Sequence, residues 1–148
     1  MEKVNKADKL FHENANCAQA VLLTFAGEHG LDDPTAQKIA SGFGGGIARL
    51  QETCGAMTGA CMALGLAIGN GEPDPAKAKD ATSAAIRVFQ KRFIGLHGAT
   101  SCRDLLQVNL NTDEGRAIHS QKNLRETVCT PCVRDAVQIV EELLSERR

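Results

Sequence analysis

The sequence has no tryptophan or tyrosine and only five phenylalanines. Patterns typical of strands are also missing, because no segment alternates β-branched and polar residues over the length of a strand. Alanine, leucine, glutamine, glutamate and lysine fill the periodic segments instead. A chain of 148 residues with 43% hydrophobic content can bury a core without disulfides. We therefore expect an all-α fold, with about six or seven helices in one compact domain spanning residues 1–148.

The chain also lacks an excess of one charge, since its formal net charge is -1. This balance does not favour binding to a nucleic-acid backbone or to an anionic membrane surface. The longest apolar run, residues 60–68, is about half as long as a membrane span and is interrupted by Gly65. The N-terminus has no apolar run of the kind found in a secretory signal. We expect a cytoplasmic protein that is not embedded in a membrane.

Capping residues, prolines and glycines divide the chain into helices. In the first half of the chain, the spacing predicts helices over residues 4–13, over 17–28 before Gly30, from Asp33-Pro34 to the glycines of 42–46, and after a cap at Thr53. In the second half, it predicts helices from Asp74-Pro75 to Gly98, after Ser101, after Thr112, and after Thr130-Pro131. The segment after Thr112 is expected to be short. No repeat or linker divides this series, which agrees with a single helical domain.

Six cysteines are present, and in a reducing compartment they are expected to be buried apolar residues, metal ligands or redox thiols. Four of them fall at predicted helix N-termini. They are Cys17 after Asn16, Cys54 after Thr53, Cys102 after Ser101, and Cys129 just before Thr130. Unpaired N–H groups and the helix dipole stabilise a thiolate at such a position. These four cysteines are therefore the candidate redox thiols and the candidate metal ligands.

The other two cysteines are interpreted differently. Cys61 lies in the middle of a predicted helix beside Met62 and is expected to fill the core. Cys129 and Cys132 form a C-x-x-C pair, but thioredoxin-like sites follow a strand, whereas this pair opens the last helix. A local dithiol at Cys129 and Cys132 remains an open alternative.

A glycine-rich loop precedes Cys54. It is not a dinucleotide-binding fingerprint, because position 47 is isoleucine and no strand comes before it. Backbone N–H groups at such glycines can donate hydrogen bonds to cysteine sulfur or to an inorganic cluster. Gly44, Gly45, Gly46 and Gly55 are therefore candidate cofactor-binding residues, and an ordinary helix connection is an equal alternative. Gly55 and Gly59, one helical turn apart, would also allow another helix to approach closely.

Four segments carry a resemblance to a known family. They are NCAQAVL at 16–22, FGGGIARLQETCGAMTGA at 43–60, CRDLL at 102–106 and C-x-x-x-VRDAVQIVEEL at 129–143. Together they resemble the C-GCAxxG-C-C family of redox-active proteins, whose CGAxxG element is matched by CGAMTG at 54–59. The family's four characteristic cysteines correspond to Cys17, Cys54, Cys102 and Cys129, while Cys61 and Cys132 fall outside its pattern. The resemblance implies a redox role and a functional link to a transporter.

Three kinds of chemistry could use these four thiols. They could hold an iron–sulfur cluster, most simply [2Fe–2S], for electron transfer, and this hypothesis ranks first because the four histidines show no metal-ligand spacing. Pairs of thiols could instead cycle through disulfides in an oxidoreductase or redox sensor. The third alternative is an all-cysteine zinc site in a helical binding module. We also expect an unidentified redox partner protein and consider a homo-oligomer.

Overall fold

The computed structural model of the protein describes residues 1–147. This part of the chain is helical, and it contains no strand beyond an isolated β-bridge between Thr53 and Ser101. The α-helices are α1 (Glu2–Glu13), α2 (Cys17–Ala26), α3 (Asp33–Ala40), α4 (Gly55–Gly71), α5 (Pro75–His97), α6 (Cys102–Leu106), α7 (Asp113–Gln121) and α8 (Thr130–Glu146). The all-α prediction is confirmed. The expected total of six or seven helices is too low for residues 1–147, which form eight, one at each of the eight segments that the caps and breakers delimit.

Helix α2 lies at the centre of the fold and contacts α1, α3, α4 and α8. Residues 18–26 are all buried, as expected for a helix whose circumference is apolar on every side. Helix α5 adds stacked rings at Phe89 and Phe93, whose centroids are 5.8 Å apart. Because α2 is buried on all sides, it provides a fixed support for the site described below.

Several predicted helix ends are confirmed. Asn16 and Gln19 form the expected capping box, in which Asn16 Oδ1 accepts a hydrogen bond from the Gln19 N–H at 2.8 Å and Gln19 Oε1 accepts one from the Asn16 N–H. Ser101, Thr112 and Asp74 also cap α6, α7 and α5 through their side-chain oxygens. Each of these caps joins two residues that are two or three positions apart, so a short sequence pattern is enough to predict it.

Three predicted caps are wrong. Helix α3 is capped by Asp32, whose Oδ2 accepts from the Thr35 N–H at 3.0 Å, and Asp33 is the first helical residue. Helix α4 begins at Gly55, so its N-cap is Cys54 and not Thr53. Thr130 caps nothing, because the π-helical turn Arg125–Cys129 leads directly into α8.

Helix α8 continues through Pro131 without a break. The missing N–H of Pro131 falls where the chain changes from π-helical to α-helical spacing, so the proline does not end the helix. Thr130 Oγ1 donates a hydrogen bond to the Arg125 carbonyl at 3.2 Å, across this turn. Cys129 therefore lies inside a continuous helix rather than at a free N-terminus.

Helices α2 and α4 approach closely at two glycines. A Cβ at Gly59 would lie 2.8 Å from the Ala18 carbonyl oxygen, and one at Gly55 would lie 2.8 Å from Cys17 Cβ. Both distances are too short for a real side chain. The expectation that another helix packs against this glycine face is confirmed, and the helix that does so is α2.

Within residues 1–147, none of the helices combines the length and the apolar character needed to cross a lipid bilayer.

Replacing Gly59 with alanine should destabilise the fold, because the new methyl group would push α2 away from α4. We expect the free energy of unfolding to fall by about 1–3 kcal/mol, the usual effect of overpacking a core. Gly69→Ala is the matched control, since Gly69 is exposed in the same helix and a Cβ there meets no atom within 4 Å. That control should leave stability unchanged or raise it by up to about 1 kcal/mol. Urea unfolding followed by circular dichroism measures both, and equal effects would contradict the proposed contact.

Candidate functional site

A cavity of about 590 Å³ lies where the beginnings of α2, α4 and α6 meet the π turn before α8. Five of the six cysteines line it: Cys17, Cys54, Cys102, Cys129 and Cys132. The structure thus brings all four cysteines of the sequence prediction to one place and adds Cys132. All six cysteines are free thiols.

Short backbone contacts hold Cys54 and Cys102 on neighbouring segments. The Cys54 N–H donates to the Thr100 carbonyl at 2.8 Å, and the Cys102 N–H donates to the Glu52 carbonyl at 2.7 Å. These two hydrogen bonds surround the isolated bridge at Thr53. The start of α4 and the start of α6 therefore form one unit, although α5 separates them in sequence.

Cys54 and Cys132 form the first thiol pair. A hydrogen bond from the Cys132 thiol lowers the pKa of Cys54, and the N–H groups of Ala56 and Met57 lower it further by favouring the thiolate. The same interaction with Cys54, together with burial, raises the pKa of Cys132 far above its ordinary value. Cys54, the N-cap residue of α4, is therefore the thiol of this pair that ionises more readily.

Cys17 and Cys129 form the second pair. A hydrogen bond from Cys17 lowers the pKa of Cys129, and the positive charge of Arg125 adds to this effect. The interaction with Cys129 and burial raise the pKa of Cys17. The Arg125 guanidinium donates to the Phe11 carbonyl at 2.7 Å and lies 3.8 Å from the centre of the Phe11 ring, so its charge is fixed beside this pair.

Cys102 is the fifth thiol of the cavity and has no thiol partner of this kind. Burial raises its pKa to about 12, and the charges of Cys54 and Cys129 act in the same direction. The prediction that a helix N-terminus stabilises a thiolate is therefore wrong for Cys102 and for Cys17. The interaction with Cys129 followed by burial raises the pKa of Cys17, and burial alone is the largest cause at Cys102, so the helix dipole does not prevail at either position.

The glycine loop forms one wall of the cavity. Gly44, Gly45 and Gly46, predicted as cofactor-binding residues, all line it, as does Gly55. Residues 45–49 have positive φ angles at five consecutive positions, which makes this segment a short left-handed turn. A Cβ at Gly46 would lie 2.7 Å from Cys102 Cβ, so the loop can lie against the thiols only because glycine occupies this position.

Gln51 holds the left-handed segment in place. Its side chain is buried and donates from Nε2 to the Val108 carbonyl at 2.7 Å, while its Oε1 accepts from the Leu110 N–H at 2.8 Å. Asn111 adds a hydrogen bond from Nδ2 to the Arg49 carbonyl at 3.1 Å. The connection between α6 and α7, of which Leu110 also lines the cavity, therefore fixes the loop.

Cys132 is the site residue that the sequence interpretation undervalued. Cys129 and Cys132 are three residues apart, so on a helix they share one face, and this spacing was the available signal. Each of them interacts mainly with a cysteine of another helix, which disfavours a local C-x-x-C dithiol. Cys61 is half-buried at the edge of the core and does not line the cavity.

The cavity does not have the donor arrangement of a preformed metal site. Within residues 1–147, no group of three or more histidine, cysteine, aspartate or glutamate side chains has the geometry to hold a metal ion. His119 also lines the cavity, and burial lowers its pKa, as does the nearby charge of Arg125. The described residues thus place several thiols beside a histidine of lowered pKa.

A family model described as "Putative redox-active protein (C_GCAxxG_C_C)" matches residues 15–143 of this chain. The match covers most of the sequence and includes the five cysteines of the cavity. The chain therefore belongs to this family. Comparisons with curated proteins and with solved structures gave no match.

Removing Cys132 should raise the pKa of Cys54, because the largest favourable interaction of its thiolate would be lost. In the wild type, alkylation of Cys54 should stay fast below the pH at which an ordinary thiol ionises, and it should slow as the pH falls through the lowered pKa. In Cys132→Ala the midpoint of this profile should move to higher pH. Iodoacetamide labelling across a pH series, read at the Cys54 peptide by mass spectrometry, gives both midpoints.

Cys61→Ala is the matched control, since it removes a thiol outside the cavity and should leave the Cys54 profile in place. Cys102 should be labelled only near pH 12 in the folded protein. An unchanged Cys54 midpoint in Cys132→Ala would contradict the pairing of these two thiols.

Proposed function

We propose that this member of the C-GCAxxG-C-C family is a thiol–disulfide oxidoreductase that exchanges two electrons with a disulfide-containing partner. One observation carries the proposal: five cysteines from separate segments line one cavity. The opposite directions of the pKa shifts within Cys54–Cys132 and Cys129–Cys17 support it. Exchange needs a thiolate to attack and a second thiol to resolve the mixed disulfide. Both pairs provide this combination.

Cys54 performs the first step of the proposed reaction. Its thiolate attacks one sulfur of the partner's disulfide, a new bond forms between Cys54 Sγ and that sulfur, and the partner's S–S bond breaks. The second sulfur of the partner leaves as a thiolate and takes a proton from solvent. The hydrogen bond from Cys132 and the N–H groups of Ala56 and Met57 lower the pKa of the attacking thiol, which raises the fraction present as the reactive thiolate.

Cys132 performs the second step. The largest cause of its raised pKa is its interaction with Cys54, and this interaction ends when Cys54 becomes part of a mixed disulfide. Cys132 then releases its proton to solvent and attacks Cys54 Sγ, which expels the partner's remaining sulfur as a thiolate that solvent protonates. Two protein thiols and one disulfide become one protein disulfide and two thiols, and two electrons pass to the partner.

The second pair allows the electrons to move within the protein. The charge of Cys54 raises the pKa of Cys17, which indicates that the two pairs lie near each other. A disulfide formed at Cys54 and Cys132 could be reduced by Cys17 and Cys129 through the same exchange, with one S–S bond replacing another. Cys54 and Cys132 would then react with the partner, and Cys17 and Cys129 would hold the electron pair within the protein.

An iron–sulfur cluster held by Cys17, Cys54, Cys102 and Cys129 is the second candidate, with zinc as the alternative metal. The observation that favours it is the all-sulfur donor set along one cavity wall beside the amides of Gly44, Gly45 and Gly46, since such amides tune clusters. The arrangement in residues 1–147 is not that of a metal site, so these sulfurs would have to move closer together. A bound cluster would supply one-electron transfer.

The test of the first candidate is the pattern of disulfides after oxidation. The reduced protein is treated with an excess of the linear reagent 2-hydroxyethyl disulfide, the remaining thiols are blocked with N-ethylmaleimide, and linked peptides are identified by mass spectrometry. We expect the pairs Cys54 with Cys132 and Cys17 with Cys129, and reduction by dithiothreitol should return all thiols. Cys132→Ser should accumulate a mixed disulfide at Cys54, whereas Cys61→Ser should behave as the wild type.

A second measurement separates the two candidates. Protein purified without oxygen is analysed for iron, sulfide and zinc and by its visible absorption spectrum. Stoichiometric iron and sulfide with visible charge-transfer bands, lost in Cys102→Ser, would favour the cluster over disulfide exchange. A link between Cys129 and Cys132 as the main product would instead show that the pairing proposed here is incorrect.

A further inference from the structure

The rim of the cysteine cavity is positively charged. Arg49, Arg116 and Arg125 line it, and within residues 1–147 the lining includes no aspartate or glutamate. Thiol–disulfide chemistry does not need three guanidinium groups. Their presence on one cavity raises the question of which ligand they recognise.

Two of these charges are not neutralised. Arg49 and Arg125 have no carboxylate partner among residues 1–147, whereas Arg116 pairs with Asp113. Arg125 is held by backbone carbonyls, which fix its position without cancelling its charge. Arg49 is exposed at the end of the left-handed segment. The cavity therefore has a fixed cation near the thiols and a free one at its mouth.

The glycine loop at residues 44–46 adds backbone N–H groups, which favour an anion as the arginines do. In the described part of the chain, the N–H groups of Gly44, Gly45 and Gly46 donate to no protein acceptor. Gly45 and Gly46 have φ angles of 63° and 72° and begin the left-handed turn, so their carbonyls accept hydrogen bonds from Gln51 and Glu52 while their N–H groups stay available to a ligand, as at the start of any helical turn. Backbone donors and guanidinium groups thus line the same cavity.

We infer that this cavity binds a small anionic disulfide, the substrate class of the oxidoreductase proposed above, with its carboxylate or other anionic group at Arg49 and the glycine amides and its sulfur atoms at Cys54. The inference rests on the proposed function for the sulfur chemistry, but anion binding can be measured without it. A cavity of about 590 Å³ is within the range of sites that enclose small molecules. The charge of the site would distinguish anionic disulfides from neutral and cationic ones.

The test compares three disulfides with closely similar backbones and different charges. Reduced protein is mixed with 3,3′-dithiodipropionate, 2-hydroxyethyl disulfide or cystamine, and the loss of protein thiols is followed at low ionic strength. We expect the anionic compound to react about tenfold faster than the neutral one, as electrostatic attraction permits, and the cationic compound to react most slowly. High salt should reduce these differences, because ions screen the exposed charge.

Arg49→Gln should remove much of the preference for the anionic compound over 2-hydroxyethyl disulfide. Arg87→Gln is the matched control, since Arg87 is exposed on α5, lies outside the cavity and changes the net charge by the same amount. A calorimetric titration with suberate, the unreactive carbon analogue of dithiodipropionate, tests binding alone. Suberate should bind the wild type and Arg87→Gln more tightly than Arg49→Gln, and 1,6-hexanediol should not bind.

The outcomes separate the two proposals. Equal rates with all three disulfides and no binding of suberate would overturn the anionic site and leave the oxidoreductase proposal standing. Failure of every disulfide to oxidise the protein would overturn the oxidoreductase proposal, and suberate binding would then support the anionic site by itself. An equal loss of preference in Arg49→Gln and Arg87→Gln would assign the effect to net charge and contradict a role for this cavity.

Discussion

The close contact between α2 and α4 is the constraint on which the site depends. Gly55 lies directly against Cys17, and any side chain at Gly59 would displace the backbone of Ala18. Because the two helices meet at their N-terminal ends, the first residue of α2 and the N-cap of α4 present their sulfur atoms to the same space. Helix α8 packs against both helices and brings Cys132 to Cys54. The glycines therefore determine where the thiols meet.

The left-handed segment at residues 45–49 has a cost that its surroundings must offset. Left-handed helical conformation costs roughly 1–2 kcal/mol for a residue other than glycine, and Ile47, Ala48 and Arg49 all adopt it. Backbone hydrogen bonds such as Ala48 N–H to the Gly42 carbonyl at 2.8 Å stabilise the turn, and buried Gln51 ties it to the next connection. Strain of this kind concentrates at functional sites, and here it keeps the glycine amides and Arg49 against the cavity.

The sequence could predict interactions that span a few residues. The capping box of Asn16 and the cap at Ser101 were predictable for this reason, and the resemblance to the family indicated which four cysteines meet. Threonine is a common N-cap residue, yet neither Thr53 nor Thr130 caps a helix. Helix α4 begins one residue later than predicted, with Cys54 as its N-cap, and α8 continues directly from a π turn. The pairing of Cys54 with Cys132 depends on how α8 packs on α4, and no local pattern encodes it.

Hydrogen-bond partners explain why position at a helix N-terminus was an incomplete guide to thiol reactivity, since Cys54 and Cys102 are equally buried. The dipole and free N–H groups favour a thiolate only when the sulfur can use them and remains otherwise solvated or hydrogen-bonded. Cys54 meets this condition through two amides and a neighbouring thiol, whereas Cys102 is buried without an equivalent partner. Placing several thiols in one cavity increases the difference between their pKa values, because the charge of one thiolate raises the pKa of its neighbours. In the proposed exchange the sulfurs would take attacking and resolving roles mainly through their interactions with one another, and the charges of Arg125 and Asp135 add smaller contributions.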